Sequence, residues 1–132
     1  MTSLQPQDMR VLLIEDAPAT AAVLQLYLEE MGMPEAHWIE SLEEAEALAP
    51  SIERGDFDVI VSDLILSDAD ASGFLNRVMA AGTRCQVLIC SGDAERSRKM
   101  DLPAEAILAK PVSYEALSFA MARLGAKMTA NC

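Results

Sequence analysis

Basic residues are scarce in this chain of 132 residues: 10 lysines and arginines stand against 21 aspartates and glutamates, a formal net charge of −11. A surface of that sign repels a phosphate backbone, so nucleic-acid binding is disfavoured, as is an anionic membrane surface. Long apolar runs are missing too. None approaches the roughly 20 residues of a membrane-spanning helix, and the polar start "MTSLQPQDMR" lacks the apolar stretch of a secretory signal. Cysteine is limited to Cys85, Cys90 and Cys132. An odd number without metal-ligand spacing, two of them in or beside an apolar run, reads as reduced thiols in a cytosolic protein. Neither a GxxxxGK[ST] loop nor a GxGxxG turn occurs, which argues against a nucleotide site. The single histidine, His37, precedes Trp38 near an expected sheet edge and reads as a surface residue.

What the chain does have is a repeating alternation. About half of its residues are apolar (52%), enough for one globular domain around a single core. Apolar β-type runs fall at 11–15, 36–40, 57–62, 86–91 and 104–110. Three of them are continuously apolar, as in strands buried on both faces of a parallel sheet. Amphipathic segments lie between. Ala21, Leu24, Leu28 and Met31 form one stripe, ended by Gly32. Ser41 and Glu44 match a capping box leading into Ala45, Leu48 and Ile52, with Pro50 predicting a kink or an early end. Phe74, Leu75, Val78 and Met79 mark a third helix closing at Gly82, and Ser113 caps a last one with Leu117, Ala120, Met121 and Leu124 on its apolar face. The stretch "GDAERSRKMDLP" offers only Ala94, Met100 and Leu102 for burial, so a short, weakly anchored fourth helix is expected there. Residues 1–9 and 126–132 read as flexible termini around a domain spanning 10–125.

Five βα units imply a parallel α/β sheet covered on both sides, with right-handed crossovers. Ligands of such sheets bind beyond the carboxyl ends of the strands. Those ends carry Glu15-Asp16, Asp63, Ser91-Gly92 and Lys110-Pro111. Asp63 stands out because it closes the apolar run "FDVIVSD": either it reaches solvent as a plain strand terminus, or other residues have prepared a site for it. A trio of clustered carboxylates is unfavourable without a cation, and hard oxygen ligands with room for water suit Mg²⁺. A carboxylate beside a divalent cation and a lysine is in turn a reasonable nucleophile towards a phosphoryl group. A hydroxyl at Ser91, next to a glycine that leaves space, could then bond a phosphoryl oxygen.

This set, each member at the end of its own strand, closely resembles the receiver domain of two-component response regulators over roughly residues 10–125. The resemblance implies a doubly wound, flavodoxin-like sheet in the order 2-1-3-4-5. It implies that Asp63 is the phospho-accepting aspartate, and that Mg²⁺ is held by Asp16, by Glu15 partly through water, by Asp63 and by the backbone carbonyl of Ile65. Ser91 would move toward the phosphoryl group, Lys110 would pair with Asp63 and then with the phosphate, and Pro111 would follow a cis peptide bond. The implied setting is the cytoplasm, with a histidine kinase or histidine phosphotransfer protein as donor and a downstream protein as target. The chain would be a monomer or weak dimer and a signalling phospho-acceptor rather than an enzyme.

Two positions and two segment lengths depart from the family's pattern. Proline is usual four residues after the phospho-acceptor, where this chain has Ser67; the loop from there to Gly73 is about two residues longer than usual, and the fourth-helix region about three shorter. An aromatic residue is usual three positions before the lysine, where Ile107 stands. The phosphorylation chemistry thus looks intact while the output surface looks altered, and phosphorylation is expected to order or loosen the loop after Asp63 or the 93–101 segment. Ile65 and Asp93 flank the path of an attacking water. The expected function is a stand-alone receiver that signals through a protein partner. The alternative is a phosphorylation-independent interaction module. A small aspartyl phosphatase of the haloacid-dehalogenase type would need a second aspartate where Ile65 stands.

Overall fold

Apolar side chains at consecutive positions let one strand bury both of its faces, because successive residues point to opposite sides of a sheet. In the computed structural model, which describes residues 8–33 and 35–130 and side chains as far as residue 125, this produces five strands. They are β1 (Val11–Ile14), β2 (His37–Ile39), β3 (Val59–Ser62), β4 (Gln86–Ser91) and β5 (Ile107–Ala109). All pair in parallel, in the order β2-β1-β3-β4-β5. The expected α/β doubly wound sheet and its strand order are both present.

The helices are α1 (Pro18–Glu30), α2 (Leu42–Ala47), α3 (Ala49–Glu53), α4 (Ser72–Ala80), α5 (Ala94–Arg98) and α6 (Tyr114–Ala130). Strand alternation sorts the core into two layers. Val11, Leu13, Val59, Val61, Leu88 and Cys90 pack against α1 and α6. Leu12, Ile14, Ile60, Val87 and Ile89 pack on the opposite face, against α2, α3 and α4 and against Met100 just beyond α5. Burial pushes the thiols of Cys85 and Cys90 up to about 12, so both stay protonated.

The expected break at Pro50 occurs two residues earlier, at Leu48, which ends α2 and opens α3. Pro50 then lies in the first turn of α3, where its missing N–H costs nothing. Ser41 caps α2 by accepting a 3.1 Å hydrogen bond from the Glu44 amide. Gly82 ends α4 with φ 70°, a conformation that costs other residues about 1–2 kcal/mol. The fourth βα unit is as weak as expected: α5 has five residues and buries only Ser97.

One boundary needs correction. The run 104–110 is not strand throughout: Pro103, with φ −66°, starts a 3₁₀ turn over Ala104–Ala106, closed by a 2.9 Å bond from the Ala106 amide to the Pro103 carbonyl. Only Ile107–Ala109 remain for β5. Met9, read as part of a loose extension, is buried in the α1/α6 layer. Of that expected extension, residues 1–7 lie outside the described residues. The backbone of α6 continues to Ala130, inside the segment read as a tail, and residues 131–132 lie outside the described residues.

Candidate functional site

The strand order reverses between β1 and β3, and the crevice this leaves lies beyond their carboxyl ends. Backbone bonds carry the ladder one residue further on each strand. The Glu15 amide donates to the Ile39 carbonyl and the Asp63 amide to the Ile14 carbonyl, both at 3.1 Å. Both acids are therefore placed by the sheet itself. Asp16 follows at once, before Pro18 opens α1.

Lys110 reaches the same crevice from β5. Its amide donates to the Ser91 carbonyl at 3.0 Å, and the Lys110–Pro111 peptide is cis, as the resemblance implied. Its ammonium lies 2.8 Å from Glu15 Oε1 and 2.8 Å from Asp63 Oδ2. Pairing with Asp63 was expected; pairing with Glu15 was not. Glu15 is almost fully buried, at 1% exposure, and its other oxygen accepts from the Ala17 amide at 3.1 Å. A buried carboxylate needs such partners, since an unpaired one costs several kcal/mol. Burial draws the Lys110 pKa down, but hydrogen bonds to Asp63 and Glu15 outweigh it and hold the pKa above the usual lysine value.

One ammonium does not balance three carboxylates. One oxygen from each of Glu15, Asp16 and Asp63 lies within 4.8 Å of the other two. These are hard anionic donors on one rim, with Asp16 and Asp63 part-exposed, so water can complete a coordination shell. That donor set fits a small divalent cation of the magnesium type.

The other expected members divide. The Ser91 hydroxyl is turned along its own loop: it accepts from the Asp93 amide at 3.0 Å. Ser91 shares a cleft of about 390 Å³ with Lys110 and Ile107. Ile65 donates its amide to Asp63 Oδ1 at 3.3 Å, and its side chain is exposed. Asp93 is occupied at α5, where its carboxylate accepts from the Arg96 amide at 3.0 Å, so its charge is spent as a helix cap. His37 is exposed and stacks edge-on with Phe57.

Two features escaped the sequence. The loop after Asp63 is a small hairpin, with the Leu66 amide bonded to the Ala69 carbonyl at 2.9 Å and the Ala71 amide to the Leu64 carbonyl at 2.7 Å. From it the Ser67 hydroxyl donates to Asp16 Oδ2, and this bond holds the Asp16 carboxyl below the usual aspartate range. Asp70 in turn pairs with Arg96 of α5 at 2.7 Å. The signal for this was the density of serine and aspartate in "SDADAS", residues that bond nearby backbone amides and favour turns.

The family model of the response regulator receiver domain matches residues 11–122. No curated protein matches the chain. Among solved structures, the response regulator PhyR from Brucella abortus superposes with a TM-score of 0.78 at 18% identity, over 98% of this chain and 51% of that one. The signal receiver domain of a putative Luxo repressor protein from Vibrio parahaemolyticus gives 0.74 at 21% identity, over 97% and 95% of the two chains. A CheY-like receiver domain from Methylobacillus flagellatus gives 0.66 at 25% identity, over 92% and 99%. The chain spans about half the length of the PhyR proteins it matches.

Proposed function

We propose that this chain, which belongs to the response regulator receiver domain family, accepts a phosphoryl group on Asp63 and signals through a protein partner. The observation that carries this is the Lys110 ammonium set between Glu15 and Asp63 at 2.8 Å from each, on a rim that also holds Asp16. In the transfer, an Asp63 oxygen forms the new P–O bond while the donor's P–N bond breaks and its electron pair returns to the imidazole. The Ile65 amide, already on Asp63 Oδ1, and the Lys110 ammonium orient the attacking carboxylate. Glu15, Asp16 and Asp63 would hold Mg²⁺, with the Ile65 carbonyl as a further ligand. When bound, the ion would neutralise charge on the phosphoryl oxygens. The Ser91 hydroxyl, which accepts from the Asp93 amide, would donate its own proton to such an oxygen and so link it to the residue that caps α5.

The expected donor is a histidine kinase or histidine phosphotransfer protein, which places the chain in the cytoplasm. Its docking face is the outer side of α1. Ala19, Ala22, Val23 and Leu26 are all exposed there, at spacings that put them on one stripe. The stripe starts beside Asp16, and an apolar helix of the donor would cover it. Leu26→Glu, at a side chain 53% exposed, is expected to slow transfer from a protein donor about tenfold, the effect of losing roughly 1.4 kcal/mol of contact. Uptake from a small phosphodonor is expected to be unchanged, and parallel time courses with the two donors check both.

The reading is tested by titrating the protein with Mg²⁺ and beryllofluoride, followed by amide NMR. Expected are shifts at Asp63 and Lys110 together with segments 64–73 and 91–103, which the Asp70–Arg96 pair joins. A spectrum that does not respond selects the alternative, an interaction module independent of phosphorylation.

A further inference from the structure

We propose that Ser67 is a positioning residue for Asp16: its hydroxyl fixes the carboxylate through Oδ2 and leaves Oδ1 to a divalent cation. The proposal rests on reading Glu15, Asp16 and Asp63 as the ligands of that cation.

Ser67 is exposed, so water competes for its hydroxyl. What keeps it on Asp16 is the hairpin that carries it. Leu64 and Leu66, at 1% and 4% exposure, anchor the incoming strand in the core beneath, and Ile65 bridges to Asp70 across the turn. Asp68 accepts from the Leu42 amide at the start of α2 at 3.2 Å. Asp70 accepts from the Ser72 amide at 2.8 Å and from Arg96 at 2.7 Å. The hairpin is therefore tied to α2, α4 and α5, and the serine at its tip is delivered to Asp16 before any ion arrives.

A ligand carboxylate held in this way has one rotamer to offer, and less freedom is lost when the ion binds. Donors that hold ligating carboxylates typically contribute 10–100-fold in metal affinity. Glu15 and Asp63 have such partners in Lys110 and in the Ala17 and Ile65 amides. For Asp16, the side-chain partner is Ser67.

The test compares Mg²⁺ affinity of the wild type, Ser67→Ala and Ser67→Thr by amide NMR titration, with thermal melts in the absence of the ion. Expected is a dissociation constant raised about tenfold in Ser67→Ala and restored in Ser67→Thr, which keeps the hydroxyl, with similar melts for all three. Unchanged affinity in Ser67→Ala overturns the proposal and leaves the divalent site standing. Tighter binding also overturns it, and shows the hydroxyl competing with the ion. No Mg²⁺ response in any of the three removes the proposal together with the reading it rests on.

Discussion

Asp63→Asn is expected to abolish phosphoryl uptake altogether. Incubated with Mg²⁺ and a small acyl phosphate, the wild type should gain one phosphoryl group by intact mass and the variant none. The loss is chemical rather than structural. An amide oxygen is a far poorer nucleophile than a carboxylate, yet asparagine has nearly the same shape and still accepts from the Ile65 amide, now 3.3 Å from Oδ1. The Asp63 amide remains bonded to Ile14, so the backbone of the rim has no reason to shift. Phosphoryl gain by the variant would mean that another side chain is the acceptor.

Lys110→Met should produce the largest change in stability. The substitution keeps most of the apolar stem and removes the charge that Glu15 and Asp63 share. Glu15 then stays buried, with the Ala17 amide as its remaining side-chain partner. Breaking a buried pair from one side costs about 3 kcal/mol or somewhat more, which for a domain of this size lowers the melting temperature by roughly 10 °C. Millimolar Mg²⁺ should recover part of the loss, because a cation among the same oxygens replaces the missing ammonium charge. Melts with and without the ion check both statements. A variant as stable as the wild type in the absence of Mg²⁺ would show that Glu15 and Asp63 do not depend on Lys110 for compensation.

The parts of this molecule that were legible in its sequence are those governed by burial. Val11–Ile14, Val59–Ser62 and Gln86–Ser91 are apolar at nearly every position because both faces of each strand are covered; a strand with one face in water would alternate with polar residues instead. The site was legible for a related reason. A strand that ends in a charge at the edge of a buried sheet must put it where partners wait, so Glu15, Asp63 and Lys110 could be read as a group before their distances were known. Short-range competition was harder to see. Ala104–Ala106 carry nothing that forbids a strand; Pro103 settles the outcome by fixing the entry angle of a turn. The hairpin after Asp63 depends on hydrogen bonds between residues 26 apart in sequence, such as Asp68 with Leu42 and Asp70 with Arg96. No periodicity announces such pairs. Ser67 was visible only as a missing proline, and its bond to Asp16 needed the folded chain.

Trp38 is the lone indole of the sequence, and its ring N–H donates to the Glu15 carbonyl at 2.8 Å. The chain thereby carries a built-in optical probe one peptide unit from its acidic rim. Ultraviolet emission from unlabelled protein becomes a direct window on events there, on the timescale of a stopped-flow mixer.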